Sequence, residues 1–183
     1  MRPTGPTGLT DPEEIARSLR AVMGSFATGV TVLTTPGPDG HGMTANAVTS
    51  VSLDPPLVLA CVARTSRIHA AIERSGALGV SVLGGDQVAA AHWFADKGRP
   101  SGARQFDAVD HALGAHTAAP LITGALGWLE CRVVTTHDGG DHAIVVGEVL
   151  AADTGADDAD PALLFHRGRF GRQDPPAPLL RAA

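Results

Sequence analysis

Tyrosine is absent from this 183-residue chain, and all aromatic residues together make up only 4% of it. A flat ligand bound here must rest mainly on backbone and aliphatic surface. Cysteine is scarce too. Cys61 and Cys131 sit in apolar, strand-like surroundings outside any CxxC pair, which reads as two buried thiols and gives no disulfide framework. No Lys/Arg-rich run occurs. A net charge of −5 and an isoelectric point near 5.8 supply no field that would gather nucleic acid or acidic lipid. The opening residues lack the apolar core of a signal peptide, and no apolar run approaches bilayer length. The expectation is a cytoplasmic protein with no nucleic-acid and no membrane partner. GxGxxG, GxxxxGKS and HExxH are also missing, which removes the main warrants for a dinucleotide fold, a P-loop enzyme and a zinc protease.

What is present fits one domain with a real core, since 44% of residues are hydrophobic and mean hydropathy is +0.09. Pro, Gly, Ala and Thr mark 1–10 and 173–183 as tails around a domain at 11–172. Asp11, Pro12, Glu13 and Glu14 form a helix start, after which Ile15, Leu19, Val22 and Met23 share one face. Strands are expected at 30–35, 42–53, 56–63 and 78–83, with helices at 66–74 and 86–95. The Gly-rich stretch 97–120 reads as an irregular, functional or mobile loop. A hairpin pairs 126–136 with 143–152, and a last short strand covers 162–166. Recurrent hairpins with single inserted helices favour a mainly β, antiparallel barrel with peripheral helices over a doubly wound parallel sheet.

The stretch 42–62 carries the most information. At period two, Thr44, Asn46, Ser50 and Ser52 share a face with Val48, while Ala45, Ala47, Thr49, Val51 and Leu53 share the other. Hydroxyls and an amide on one face can grip a polar ligand, and the small Ala45 and Ala47 let a flat one approach the backbone. Downstream, Thr65 and Ser66 stand where a helix begins, between Arg64 and Arg67. Free N–H groups, hydroxyls and guanidinium groups there suit a phosphate, although a plain N-cap with solvated arginines is the simpler alternative.

Other candidates are weaker. The run from His137 to His142 holds imidazoles and carboxylates, but Asp and Gly at those positions read as a hairpin turn, and no metal site is expected. His142 opens a strand and could face the barrel mouth. Ser81 lacks the final glycine of a nucleophile elbow and reads as a strand residue. Glu130 and Glu148 lie on strands, with no sign that they pair.

The motifs FATGVTVLTT, GMTANAVTSVSLDPPLVLACVARTS, VLGGDQ, WFA, GDHAIVVGEV and FHRGRFG occur in this order, and with them the chain resembles the flavin reductase-like family. The resemblance spans about residues 19–171. It departs from the family pattern at Ala77, Leu78 and Ser81 and in the loop 99–107. It implies a split β-barrel, a homodimer, and hydride transfer from NADH or NADPH to FMN or FAD, with no catalytic side chain demanded. A flavin-dependent monooxygenase would be the partner that receives the reduced flavin. By similarity, Met43, Thr44, Ala45 and Asn46 lie near the flavin ring, Ser50, Val51, Ser52, Ser66 and Arg67 near the ribityl and phosphate part, and Cys61, Val62 and Ala63 line the turn between. His142, Arg167 and Phe170 match positions near the nicotinamide. Two alternatives stand beside this: a flavin-binding module without turnover, and a split-barrel enzyme with permanently bound FMN acting on its own small substrate.

Overall fold

The computed structural model describes residues 11–155 and 160–173. The chain begins with α1 (Pro12–Met23), β1 (Thr28–Gly29), β2 (Thr31–Thr34), β3 (Gly42–Ala45), β4 (Val48–Leu53) and β5 (Pro56–Ala63). Then come α2 (Arg67–Ser75), β6 (Ala77–Val82), α3 (Val88–Ala95), a 3-10 turn (Gly102–Phe106), β7 (His111–Leu113) and β8 (Pro120–Ile122). Two long strands, β9 (Gly127–Gly139) and β10 (His142–Thr154), precede β11 (Leu163–His166) and β12 (Arg169–Arg172).

Seven strands pair antiparallel in the order β3-β2-β6-β9-β10-β5-β4. The two edge strands are consecutive in the chain, joined only by Asn46 and Ala47. Laid flat, such a sheet would be about 29 Å wide, yet the Cα atoms of Ala45 and Val48 can be no more than about 11 Å apart. The sheet must therefore curl until its edges meet. Cys61 N donates to Ala47 O at 2.9 Å across that corner. The expected barrel is thus present, but the single strand 42–53 is corrected to two strands on opposite edges. A bulge between Ser50 and Ser52 further breaks the period-two face assigned to that stretch.

Two apolar layers meet on β2. Val32 and Leu33 are both fully buried, but Leu33 joins the barrel interior with Val62, Val80 and Val145, whereas Val32 packs outside it with Phe94, Phe106 and Leu163. The inner layer is completed by Ile68 and Ile72 of α2. That helix starts at Ser66, whose Oγ accepts from His69 N, and stops at Gly76, where φ is 60°. The outer layer is covered by α3, whose Phe94 lies so close to β3 that a Cβ on Gly42 would fall 2.6 Å from its ring.

α1 is capped as its sequence predicts, with Asp11 Oδ1 accepting from Glu13 N at 3.2 Å and Pro12 in the first turn. None of its residues is buried. The stretch 97–120 is more ordered than expected: it contains the 3-10 turn and β7, which pairs with β8. The last strand is followed by β12, so 163–172 forms a hairpin joined to β1. The expected tails, apart from Gln173, lie outside the described residues.

Candidate functional site

The turn after β5 is built by local hydrogen bonds. Ser66 Oγ donates to Ala63 O at 2.6 Å and accepts from His69 N at 3.3 Å, which fixes the first turn of α2. The two flanking arginines separate. Arg64 Nε donates to Gly140 O at 3.0 Å and its guanidinium lies 2.9 Å from Asp138 Oδ1, so it braces the β9–β10 turn. Arg67 forms no ion pair among the described residues and faces a cleft. His142 sits opposite Ala63 in the β5–β10 register, with Nδ1 2.7 Å from Asp141 Oδ1. That contact holds the Asp141 carboxyl below the usual carboxylate range.

The cleft has a volume of about 550 Å³, and His41, Arg67, Arg74 and Arg104 line it with Asp39 as its one carboxylate. Buried polar side chains behind it fix its rear wall. Gln105 is fully buried; its amide accepts from Gly42 N at 2.8 Å and donates to Gly40 O at 2.9 Å and Gly102 O at 2.8 Å. Arg99 is buried as well, donating to the carbonyls of Asp96 and Gly42 and, at 2.9 Å, contacting His41 Nε2. A guanidinium can only donate, so His41 Nε2 accepts and the ring proton sits on Nδ1. Burial first, then the charges of Arg99 and Arg67, lower the His41 pKa to about 4. Neutral His41 and cationic arginines therefore form this wall at neutral pH.

At the other end of β3 lies a smaller apolar slot of about 190 Å³, lined by Val30, Thr44, Ala45, Asn46, Ala95, Phe165 and Phe170. Thr44 Oγ1 donates to Ala91 O at 2.6 Å and so ties β3 to α3. Phe170 is wedged edge-on against His92 at 4.8 Å and tilted on Phe165 at 5.3 Å. His41 and Thr44 are three residues apart on one extended segment, so the cationic cleft and the apolar slot lie about 10 Å apart along it.

The structure brings some expected site residues together and leaves others apart. Thr44, Ala45, Asn46 and Phe170 share the slot, and Arg67 lines the cleft. Met43 packs on the barrel core, as does Val62, which is 1% exposed and offers a ligand only backbone. Cys61 and Ala63 are half-buried on β5. Ser50, Val51 and Ser52 lie on β4 and line neither hollow; Ser52 Oγ accepts from Asp54 N. Arg167 takes a left-handed conformation with φ 50°, and its N–H donates to Gly24 O. His142 stands on the Ser66 side of the site and Phe170 on the Asn46 side. His41, Arg74, Arg99, Arg104 and Gln105 were not anticipated. Of these, only Arg74 had a sequence signal, its seven-residue spacing from Arg67 along one helix face.

The remaining candidates resolve into structural roles. Asp138 Oδ1 accepts from Gly140 N in the β9–β10 turn, where Gly140 has φ 79°. Ser81 Oγ accepts from Ile122 N at 2.9 Å and is buried. Glu130 Oε2 accepts from His116 N, Thr117 N and Thr117 Oγ1 at 2.7–2.9 Å. Burial alone would raise the Glu130 pKa, but these donors outweigh it and lower it. Cys61 and Cys131 are free thiols, and burial beside Glu130 pushes Cys131 up to about 12.

A curled antiparallel sheet with a cationic cleft at His41, just before β3, and an apolar slot at the far end of that strand defines a split barrel. Residues 23–173 match the flavin reductase like domain, and the chain belongs to that family. It is 47% identical over 178 residues to an NADH-dependent FAD reductase of Streptomyces globisporus, covering 97% of this chain and 96% of that one. With the FMN reductase (NADH) SmoA of Agrobacterium fabrum it shares 44% identity over 160 residues, 87% of each chain. The crystal structure of BorF, the flavin reductase component of a bacterial two-component tryptophan halogenase, superposes with a TM-score of 0.82 at 47% identity, covering 88% of this chain and 99% of BorF.

Proposed function

We propose that this protein uses NADH to reduce free FMN or FAD and releases the reduced flavin to a separate flavin-dependent monooxygenase or halogenase. The observation that carries this is the pair of hollows at the two ends of the extended segment from His41 to Asn46. An elongated ligand with an anionic end and a flat end meets the cations Arg67, Arg74 and Arg104 beside neutral His41, and small or apolar side chains at Ala45, Ala95 and Phe170. The names of the relatives support NADH as donor and either flavin as acceptor.

In this arrangement free N–H groups in the first turn of α2 and the Arg67 guanidinium hold the phosphate, and the Ser66 hydroxyl fixes the shape of that turn through Ala63 O and His69 N. Met43, Thr44, Ala45 and Asn46 present backbone and short side chains to the ring, and Cys61, Val62 and Ala63 border it from β5. Ser50, Val51 and Ser52 extend that border along β4. Phe170, Arg167 and His142 flank the mouth where the nicotinamide enters. The bound cofactors supply the hydride transfer themselves. The chain's contribution is to align the two rings and keep water from between them. No side chain has to move a proton.

The protein is a homodimer in this account. Ile15, Leu19, Val22, Met23 and Phe26 follow one face of α1 and its exit, each 45–68% exposed, and Leu53 on β4 is 92% exposed. An apolar stripe of this kind is costly in water, which supports a subunit interface on this face. A cytoplasmic location fits the same account; among the described residues no helix is long and apolar enough to cross a membrane. The test is NADH oxidation by purified protein with and without FMN, FAD or riboflavin. Turnover that depends on added flavin is expected, and no turnover with any of them would leave a flavin-binding module.

A further inference from the structure

We propose that the cationic cleft extends past the position of a single phosphate to form a second anion subsite at Arg74 and Arg104, which selects the diphosphate of FAD over the monophosphate of FMN. This rests on the placement of the flavin phosphate at Ser66 and Arg67. Three observations carry the extension.

The first is length. Arg67 and Arg74 both line the cleft from one face of α2, and seven helical residues separate their Cα atoms by about 10.5 Å. Between them the lining residue is Ala70, whose small side chain leaves the floor clear for a ligand lying along the helix. At about 550 Å³ the cleft is far roomier than a lone phosphate requires.

Charge is the second. Arg67, Arg74 and Arg104 form no ion pairs among the described residues, and Asp39 is the one acid in the lining. Behind them Arg99 is buried, donating to the carbonyls of Asp96 and Gly42 and contacting His41, and it forms no ion pair among the described residues, although the Asp96 carboxylate partly offsets its charge. The potential in the cleft is therefore positive along its length and favours a ligand with more than one anionic group.

The third is rigidity on the opposite wall. Arg104 lies on the 3-10 turn, which is fastened to the main chain by Gln105, by Ala103 N donating to Pro38 O at 3.1 Å, and by Trp93 Nε1 donating to Gln105 O at 2.7 Å. Arg104 thus starts from a fixed backbone across the cleft from α2. FMN ends at the first anion position, whereas FAD continues into the second.

Equilibrium titration of the full chain with FAD, FMN and riboflavin, read by flavin fluorescence, tests this with the wild type, Arg67→Ala, and Arg74→Gln combined with Arg104→Gln. The wild type is expected to bind FAD about tenfold more tightly than FMN, the worth of one added charge-assisted contact. The double variant should collapse that ratio toward one, while Arg67→Ala weakens FAD and FMN relative to riboflavin. A wild-type FAD/FMN ratio near one, or a ratio that survives in the double variant while Arg67→Ala still weakens both, overturns the second subsite alone. If Arg67→Ala leaves FMN and FAD binding at wild-type strength, the phosphate placement fails and the extension with it.

Discussion

Replacing Gln105 by Leu tests whether the rear wall of the cleft depends on one buried amide. The wild-type side chain is fully buried and satisfies Gly42 N–H, Gly40 O and Gly102 O. Leucine has nearly the same reach and no polar atom, so those backbone groups lose their partner. Gly40 and Gly42 are themselves buried, and each unsatisfied group costs about 1–3 kcal/mol. Burial of the leucine returns about 1–2 kcal/mol. The net expectation is a loss of about 3 kcal/mol, equivalent to a drop of about 6–12 °C in Tm for a domain of this size. Urea unfolding followed by tryptophan fluorescence should show a lower midpoint at unchanged slope. Because β3 begins at Gly42, the folded variant should also have a higher KM for flavin. A stability loss under about 1 kcal/mol would show that water or a shifted backbone replaces the amide, and the account of this wall would be wrong.

Protonation of His41 is disfavoured in the folded protein, where its pKa is about 4 against an ordinary 6.5. Between those values the unfolded chain binds the extra proton, so the contribution is present above pH 6.5 and is lost as pH falls toward 4. From pH 7 to pH 5 the wild type should lose about 2 kcal/mol more than His41→Gln in urea unfolding; parallel losses would refute the assignment. His142→Ala should raise KM for NADH more than KM for flavin in steady-state assays, and unchanged kinetics would return His142 to a turn residue that only orders Asp141. Leu19→Glu with Phe26→Glu should shift sedimentation from dimer to monomer, and an unaltered dimer would place the interface elsewhere.

Much of the fold was legible because its strands obey local rules. The β9–β10 hairpin announces itself through Asp138 and Gly140 between two β-rich runs, and α2 through Ser66 and Gly76 at its ends. The break at Asn46 and Ala47 was not legible. Polar and small residues keep alternating through it, and only the closure of the barrel forces the chain from one sheet edge to the other. β7 and β8 escaped notice because three-residue strands containing His111, Ala112 and Pro120 carry little β propensity; they pair through tertiary packing. The apolar stripe of α1 was visible, but periodicity cannot say whether such a face is covered by its own chain or by another. At the site, Ser66 and Arg67 stood out through capping and charge. His41 and Arg104 did not, because they reach the cleft from distant parts of the chain and no local pattern joins them to α2.

The central claim is that flavin is turned over and released. It is tested most directly by mixing a trace of the protein with a large excess of FAD and NADH without oxygen and following flavin absorbance. Bleaching of the whole flavin pool is predicted, since each protein molecule must reduce, release and rebind flavin many times. Bleaching of only one equivalent per protein would mean a permanently held flavin, and no bleaching beyond the rate without protein would mean a binding module; either would contradict the account.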